Sequence, residues 1–157
     1  MQIKYFHYKI FYVEDALLQT ASAILRLARG IRAVLDNPLE EALKLDFTEL
    51  MALRLIEEGI PSPTELSKEM QVPAPTISRI LNRLVELGLV ERSVDSANLR
   101  RFQLGLTEGG RQARAKTRKI VAQVLREHYG HIPEGVLSAA LASLAALEPY
   151  LKEARYA

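Results

Sequence analysis

The sequence contains no cysteine, which excludes a disulfide framework, thiolate zinc sites and regulation by thiol oxidation. It also has no apolar run approaching the roughly 20 residues that span a bilayer. Its first twelve residues, MQIKYFHYKIFY, lack the uninterrupted apolar core and cleavage site of a signal peptide. A cytoplasmic protein is therefore expected. Its 157 residues suit one domain with a core, or a small domain with an oligomerisation region.

Residue patterns for catalysis are also scarce. The three histidines, His7, His128 and His131, form neither a nucleophile-base arrangement nor a helical zinc motif, and no glycine-rich phosphate loop is present. A metal site at His128 and His131, beside Glu127, is the alternative to two solvated residues at a helix end. Two solvated residues are the favoured interpretation, because the sequence has no cysteine and no fourth ligand is in view. We expect no enzymatic activity, no bound metal and no cofactor.

The formal net charge is only +2, but the charges are unevenly distributed. Residues 64–130 contain twelve lysines and arginines against seven acidic residues, a local charge of +5, so the remainder carries −3. A cationic middle between acidic flanks is typical of a protein that meets phosphates with one surface.

The segment from Thr64 to Gly88, TELSKEMQVPAPTISRILNRLVELG, predicts two helices joined by a tight turn. Ser62 and Glu65 form a start signal for the first helix, with Pro63 at its first position. Pro73 ends that helix, because the residue before a proline is pushed out of the α region. This pattern is typical of a DNA-reading helix-turn-helix.

The second helix, from about Ala74, is amphipathic. At about 100° per residue, one side collects the apolar residues Ile77, Ile80, Leu81, Leu84 and Leu87. The other side carries groups that suit a major groove, since Arg pairs with guanine, Asn with adenine, and Ser or Thr with bases or phosphates. The alternative is a surface helix with solvated arginines. The residues expected to face DNA are Pro75, Thr76, Ser78, Arg79, Asn82 and Arg83.

A two-stranded ribbon is predicted directly after this helix. Gly88 ends the helix, residues 89–94 form a strand, residues 95–98 a turn, and residues 101–106 a returning strand. Such a wing can enter the minor groove or hold phosphates. The wing residues expected at the DNA are Asn98, Arg100 and Arg101.

The motifs of this region resemble the winged helix-turn-helix of MarR-type (multiple-antibiotic-resistance regulator) transcription factors. They are L-x-x-x-x-x-V at 66–72, T-I-S-R at 76–79, L-x-x-x-G-L-V-E-R at 84–92 and L-T-x-x-G at 106–110. The resemblance covers roughly residues 14–152. It implies that Thr76, Ser78, Arg79 and Arg83 face DNA and that Arg100 is the wing arginine.

The chain departs from the family pattern at two places. The family's Asp-x-Arg wing signature reads Asn98-Leu99-Arg100 here, so a neutral amide replaces the carboxylate that helps to hold the arginine. Pro73 occupies the place of the usual Ser or Thr cap. Rigid prolines can offset a missing cap by reducing unfolded-state entropy.

The segments before the helix-turn-helix predict two helices. The first runs from Asp15 to Leu35 and ends at Asp36-Asn37-Pro38, with residues 39–45 as a short helical or irregular link. Asp46 and Glu49 begin the second, which continues to Gly59. Residues 1–12 hold half of the aromatic residues and form either an extended arm or the first turns of a helix. Packing is the favoured role of these aromatics over a ligand-binding wall.

The segments after the wing predict two more helices. Thr107 caps a helix from about Glu108 to Tyr129, and its early residues Arg111 and Arg114 are predicted phosphate contacts. After His131-Ile132-Pro133 comes an alanine- and leucine-rich helix that Pro149 kinks or ends. Its wide apolar surface would be unprotected on a monomer. A dimer built from the first helix and the last two is therefore predicted.

Together these features predict a mainly α fold with a winged helix-turn-helix core, flanking dimerisation helices and a two-stranded β wing. The predicted divisions are 1–45, 46–107 and 108–157. The predicted function is a homodimeric regulator, a repressor by family resemblance, that binds double-stranded DNA at a pseudo-palindromic operator. The alternative is a winged-helix module that binds protein.

Family resemblance also implies release from DNA by a small aromatic ligand. The residues considered as lining its site are Arg26, Arg29, Asp46 and Phe47, and a structural role is the favoured interpretation of each.

Overall fold

The computed structural model describes the backbone of residues 3–95 and 98–154, and the side chains of residues 16–93 and 103–150. Within these ranges the fold is mainly α with one two-stranded antiparallel sheet, as predicted. In chain order the elements are α1 (Ile3–Leu43), α2 (Phe47–Glu57), α3 (Pro63–Met70), α4 (Ala74–Glu86), β1 (Val90–Asp95), β2 (Asn98–Leu106), α5 (Glu108–Tyr129) and α6 (Glu134–Ala154).

The chain divides into two compact units, Met1–Val124 and Leu125–Ala157. The first unit contains the complete helix-turn-helix and the sheet, and the second contains the end of α5 and all of α6. The division into three domains that the sequence suggested stays a prediction.

Local capping sets the helix starts. The Asp46 carboxylate accepts from the Glu49 amide at 2.8 Å, and the Glu49 carboxylate accepts from the Asp46 amide at 2.9 Å, a complete capping box for α2. Ser62 accepts from the Glu65 amide at the start of α3, and Thr107 accepts from the Gly110 amide at the start of α5. All three caps were predicted, and each satisfies an amide that a helix leaves free.

The core of the first unit lies between α2, α3, α4 and the sheet. Its fully buried large side chains are Leu45, Leu53, Leu66, Ile77, Leu81, Leu84 and Val90. Burial of each such side chain stabilises the fold by about 1.5–3 kcal/mol. The apolar side of α4 therefore fastens this helix to the core and fixes which side faces outward.

The sheet is a hairpin in which Val90 pairs with Leu106 and Arg92 with Leu104. The register shifts between Val94 and Asp95, and Asp95 pairs with Asn98. The second strand thus starts three residues earlier than the predicted 101–106, and the first strand includes Asp95, which was predicted to lie in the turn. The Leu104 amide also donates to the Pro61 carbonyl at 2.9 Å, which attaches β2 to the loop before α3.

The predicted end of the first helix at residues 36–38 is wrong. Helix α1 continues through Pro38 to Leu43, so residues 39–45 are mostly its last turn. A proline inside a helix costs about 3 kcal/mol because it removes a hydrogen bond and crowds the preceding turn. Leu35 and Leu39, on either side of Pro38, are both buried, and this packing offsets the cost.

At the N-terminal end of α1, the helical backbone from Ile3 excludes an extended arm. The aromatic side chains of residues 5–12 lie outside the described side chains.

Two further expectations need correction. Leu87 was placed on the buried side of α4 but is 49% exposed, because the helix ends at Glu86 and Leu87 belongs to the C-terminal cap. Of the two alternatives for Pro149, the one in which it ends the last helix is wrong, since α6 continues to Ala154, while a kink at Pro149 stays a prediction.

Candidate nucleic-acid interface

The turn between α3 and α4 sets the direction of the second helix. Gln71 adopts a left-handed conformation with φ of 53° at the end of α3, and the Ser67 hydroxyl donates to the Val72 carbonyl at 2.7 Å. The Pro73 carbonyl accepts from the amides of Thr76 and Ile77, although no side chain caps α4. The backbone thus makes the turn that the missing Ser or Thr cap would otherwise support.

The two sides of α4 differ sharply in exposure. Ile77, Leu81 and Leu84 are at most 1% exposed. On the opposite side Thr76 is half-buried, and the other five residues predicted to face DNA are exposed: Pro75, Ser78, Arg79, Asn82 and Arg83. The helix therefore presents a continuous polar surface, which we call the reading face.

The environment of Arg79 differs from that of Asn82 and Arg83 on the same face. Among the side chains that the structure describes, its guanidinium forms neither an ion pair nor a hydrogen bond. Since none of the described residues uses its five N–H donors, they can bind an acceptor outside this part of the chain. A group with these properties can bind a base edge or a phosphate without first breaking an internal contact.

Asn82 is connected to the wing. The Arg92 guanidinium of β1 donates to the Asn82 side-chain oxygen at 2.8 Å, and both residues are exposed. This contact fixes the orientation of the amide and ties the first wing strand to the reading face. The sequence motif did not indicate a role for Arg92.

Arg83 is bound within the protein. Its Nε atom lies 2.9 Å from Oε1 of Glu49, and its Nη2 atom donates to the Lys44 carbonyl at 3.0 Å. The Glu49 side chain is 5% exposed, whereas that of Arg83 is 55% exposed. The sequence gives no sign of this contact, because the helical pattern places Arg83 on the polar side without showing what lies beneath it.

The wing residues Asn98, Arg100 and Arg101 belong to β2, but their side chains lie outside the described residues. Their predicted contacts with DNA stay predictions.

The two arginines predicted to contact phosphates from α5 differ. Arg111 is exposed, and its guanidinium donates to the Glu108 carboxylate and the Leu106 carbonyl. Arg114 is buried, with its Nε atom 3.0 Å from Oε2 of Glu57. The prediction of a phosphate contact is therefore wrong for Arg114, because an internal carboxylate already neutralises its charge inside the fold.

A mainly apolar cavity of about 430 Å³ lies between α1, α2 and α5 within the first unit. Phe47 lines this cavity, as the ligand hypothesis expected, and the Arg32 guanidinium lies 4.7 Å from its ring centroid. Asp46 instead caps α2 and lines two neighbouring polar cavities of about 680 and 180 Å³. Arg26 and Arg29 are exposed on α1 and line none of these three cavities. The structure thus places one of the four considered residues, Phe47, at the mainly apolar cavity.

The polar walls of this cavity include Arg54, Arg114 and Arg118. Arg118 donates twice to Glu57, at 2.8 and 2.9 Å. These hydrogen bonds, with those from Arg114, hold the pKa of the Glu57 carboxyl below its ordinary value against the opposing effect of burial. The cavity therefore combines apolar walls with three cations, each already paired with a glutamate, of which Arg54 and Arg118 are exposed and Arg114 is buried.

The part of the chain that the structure describes contains no group of three or more His, Cys, Asp or Glu residues placed to hold a metal ion. Over the same residues, no single helix is long and apolar enough to cross a membrane, and α5 and α6 meet that criterion only when taken together, by length and composition.

Comparison with known proteins identifies the region just described. The family model for the MarR family matches residues 43–101, which span α2, α3, α4, β1 and the start of β2. An uncharacterized HTH-type transcriptional regulator of Mycobacterium tuberculosis is 35% identical over 86 residues, covering 55% of this chain and 53% of that protein. The chain thus spans about half the length of the curated relatives that it matches, and these relatives are named as regulators and not as enzymes.

Solved structures share the fold. The transcriptional regulator BldR from Sulfolobus solfataricus superposes with a TM-score of 0.69 at 22% identity, covering 84% of this chain and 96% of BldR. CouR from Rhodococcus jostii bound to p-coumaroyl-CoA has a TM-score of 0.65 at 20% identity, with coverages of 80% and 88%. A MepR mutant of S. aureus bound to an oligodeoxyribonucleotide has a TM-score of 0.59 at 19% identity, with coverages of 84% and 97%.

At these identities the structural likeness establishes the fold alone. The residues that match the family model contain the helix-turn-helix, the exposed reading face and the start of the two-stranded wing, in the order that the motifs predicted. Residues 43–101 of this chain thus match the MarR family, and the chain shares its fold with solved transcriptional regulators.

Proposed function

We propose that this protein is a homodimeric, sequence-specific DNA-binding transcriptional regulator, a repressor that a small aromatic ligand releases from its operator. The observation that carries DNA binding is the reading face of α4. Its apolar side is fixed in the core, and Arg79 on the opposite side has all of its donors free among the described residues. Arginine in this position suits bidentate contact with guanine in the major groove.

The related structure of the MepR mutant with an oligodeoxyribonucleotide supports the same function, since its fold is shared with this chain. DNA binding also agrees with the local charge of +5 over residues 64–130, because neutralisation of phosphates provides much of the affinity for DNA. A regulator of this kind works where the chromosome is, which is our reason for proposing a cytoplasmic location.

Dimerisation is proposed from the apolar surfaces of α1 and α6. Leu17, Leu18, Leu25 and Leu27 of α1 are each at least 63% exposed, and Leu141 of α6 is 69% exposed. Monomeric proteins rarely leave such large apolar areas in water. A two-fold dimer would present two reading faces to successive major grooves about 34 Å apart, which requires a pseudo-palindromic operator.

Ligand release is proposed from the cavity between α1, α2 and α5. Its volume of about 430 Å³ lies in the range of small-molecule sites, and its walls are mainly apolar. Arg54 and Arg118 at this cavity can attract a carboxylate, and CouR, which shares the fold, has been solved with p-coumaroyl-CoA. An aromatic carboxylate is therefore the ligand class to screen. A thermal-shift panel of aromatic acids tests this, and no shift with any of them would contradict the ligand proposal.

The experiment that tests the main function is selection of bound sequences from random double-stranded DNA, followed by footprinting. We expect an enriched inverted repeat whose half-sites are centred about 10–10.5 base pairs apart, or a multiple of that spacing. Gel shifts at two salt concentrations separate specific from purely electrostatic binding. Recovery of no enriched sequence, together with no binding at low salt, would contradict DNA recognition and favour a module that binds protein.

A further inference from the structure

The carboxylate of Glu49 is buried and has one partner on each oxygen. Glu49 lies in the first turn of α2, and only 5% of its side chain is exposed. Its Oε2 atom accepts from the Asp46 amide at 2.9 Å, which completes the capping box of α2. Its Oε1 atom points instead to α4, where the Arg83 Nε atom lies 2.9 Å away. A buried carboxylate is costly unless it is paired and hydrogen-bonded, so this arginine is part of the fold.

The same guanidinium also holds the end of α1. Its Nη2 atom donates at 3.0 Å to the carbonyl of Lys44, the residue that follows α1 in a left-handed conformation with φ of 57°. Carbonyls at the C-terminus of a helix lack intrahelical donors and carry partial negative charge. Arg83 therefore connects α4 simultaneously to the end of α1 and to the start of α2.

Arg79 and Arg83 are one helical turn apart, about 6 Å along the axis of α4. Their environments are opposite, since Arg79 has no partner among the described side chains, whereas Arg83 uses two of its nitrogens internally. Arg79 and Arg83 thus have similar positions in the sequence pattern but different roles. From this contrast we infer that Arg83 is a positioning residue, which sets the orientation of the recognition helix through Glu49 and the Lys44 carbonyl, and that it is not a phosphate contact. This inference rests on the proposed DNA-binding function.

The two roles of Arg83 predict opposite effects of changing Glu49. If Arg83 positions α4, loss of the Glu49 charge loosens the helix and weakens binding to the operator. If Arg83 binds phosphate, loss of that charge frees the guanidinium and makes the protein more positive. Binding to operator and to random DNA would then be unchanged or tighter.

Arg83→Lys provides a second test, in which the charge is kept. A lysine ammonium is a point charge and cannot reproduce the fork by which arginine reaches two acceptors. A positioning role therefore predicts impaired discrimination by this variant, while a phosphate contact predicts nearly normal binding. Because the Arg83 side chain is 55% exposed and the Glu49 side chain only 5%, Arg83→Lys should also disrupt folding less than Glu49→Gln.

The experiment measures the affinities of full-length wild-type, Glu49→Gln and Arg83→Lys proteins for the selected operator and for a random duplex at several salt concentrations. Glu58→Gln is the matched control, because it removes one carboxylate at the C-terminal cap of α2 from an exposed ion pair with Arg54. Circular dichroism melting curves establish that each variant is folded at the assay temperature. If Glu49→Gln is unfolded there, Arg83→Lys decides.

The expected result is a fall of about tenfold in the ratio of operator to random affinity for Glu49→Gln and Arg83→Lys, with the Glu58→Gln ratio unchanged. The slope of log affinity against log salt on random DNA should stay that of the wild type. A wild-type ratio for Arg83→Lys, or binding by folded Glu49→Gln that equals or exceeds wild type, would overturn the inference. Failure of the wild-type protein to prefer any sequence would instead refute the proposed function itself.

Discussion

The Nε atom of Arg114 lies 3.0 Å from Oε2 of Glu57, and this pair joins the first turns of α5 to the end of α2. Arg114 has 10% of its side chain exposed and Glu57 has 30%, so the pair is only partly accessible to water. Arg118, one turn later on α5, binds the same carboxylate at 2.8 Å. One carboxylate thus pairs with two arginines beside the apolar cavity, and its ionisation couples the stability of this contact to pH.

Replacement of Glu57 with glutamine should reduce the free energy of unfolding at neutral pH and should also reduce the change of that free energy with pH in the acid range. Hydrogen bonding to Arg118 is the main cause that holds the Glu57 pKa below its ordinary value of 4.5. A depressed pKa in the folded state stabilises the protein above the unfolded pKa, and this contribution is lost as the pH falls through the folded pKa. At neutral pH we expect Glu57→Gln to lower the free energy of unfolding by about 1–2 kcal/mol, because Arg114 loses a charged acceptor.

Urea denaturation of wild type and Glu57→Gln between about pH 7 and pH 3 provides the measurement. The difference between the two free energies of unfolding should shrink as the pH falls. Arg118→Gln is the companion variant. It removes the hydrogen bond that contributes most to lowering the Glu57 pKa, so the acid-induced loss of stability should move to higher pH. A difference that stays constant across this range would contradict the role assigned to the Glu57 charge.

Arg79→Ala should reduce the discrimination between operator and random DNA. Loss of a bidentate arginine contact costs about 1–3 kcal/mol at the base pair that it reads, with a smaller effect on random DNA. Titration of the selected operator and of single-base variants will show the loss as relaxed preference at one position of each half-site. Lys119→Ala, which removes one exposed cation from α5, is the control for charge. An unchanged operator footprint with Arg79→Ala would refute the assignment.

Arg100→Ala should weaken binding to operator and random DNA together. The prediction depends on the position of Arg100 near the turn of the wing, in β2, where a cation can hold a phosphate or enter the minor groove. Loss of one phosphate contact lowers the slope of log affinity against log salt by up to about 0.9. A salt slope equal to that of the wild type would show that this arginine does not neutralise a phosphate.

The parts of the fold that could be predicted from the sequence depend on short separations along the chain. Asp46 with Glu49, Ser62 with Glu65, and Thr107 with Gly110 are each three residues apart, so the side chain and the amide meet whenever a helix begins there. The exposed side of α4 followed in the same way, because helical periodicity alone separates Ile77 and Leu81 from the polar residues.

The remaining features depend on tertiary contacts that no local pattern contains. Pro38 looked like a helix end, yet burial of its neighbours keeps α1 helical. The partners Glu49 for Arg83 and Glu57 for Arg114 lie tens of residues away in sequence. Periodicity therefore identified a polar surface correctly but could not separate an arginine available for DNA from one engaged inside the protein.

Leu141→Asp should convert the proposed dimer into monomers. Leu141 is 69% exposed on α6, beside other exposed apolar residues of the same helix, and a carboxylate in an apolar interface would be buried without a partner. Sedimentation equilibrium at several concentrations measures the change. Ser143→Asp serves as the control for added charge on this helix. The exposed Ser143 side chain is already polar, and its hydroxyl donates to the Ala139 carbonyl. A wild-type protein that sediments as a monomer would refute the dimer.

Gly110→Ala should destabilise the attachment of α5 to the wing. Gly110 is buried in the first turn of α5, and a β-carbon there would collide with the Leu89 carbonyl oxygen and lie 3.3 Å from the Leu106 β-carbon. The backbone at Leu89 is itself held, since its carbonyl accepts from the Thr107 amide at 3.1 Å, so the contact cannot relax cheaply. We expect a loss of about 1–3 kcal/mol in the free energy of unfolding.

Gly135→Ala is the matched control for the same chemical change. Gly135 lies in the first turn of α6, and a β-carbon there meets nothing within 4 Å. Its effect should be a stabilisation of about 0.4–1 kcal/mol, because alanine has less conformational freedom to lose on folding. Chemical denaturation of both variants provides the comparison. Equal effects of the two substitutions would show that α5 does not begin against Leu89, and that the wing is held to the helix by other contacts.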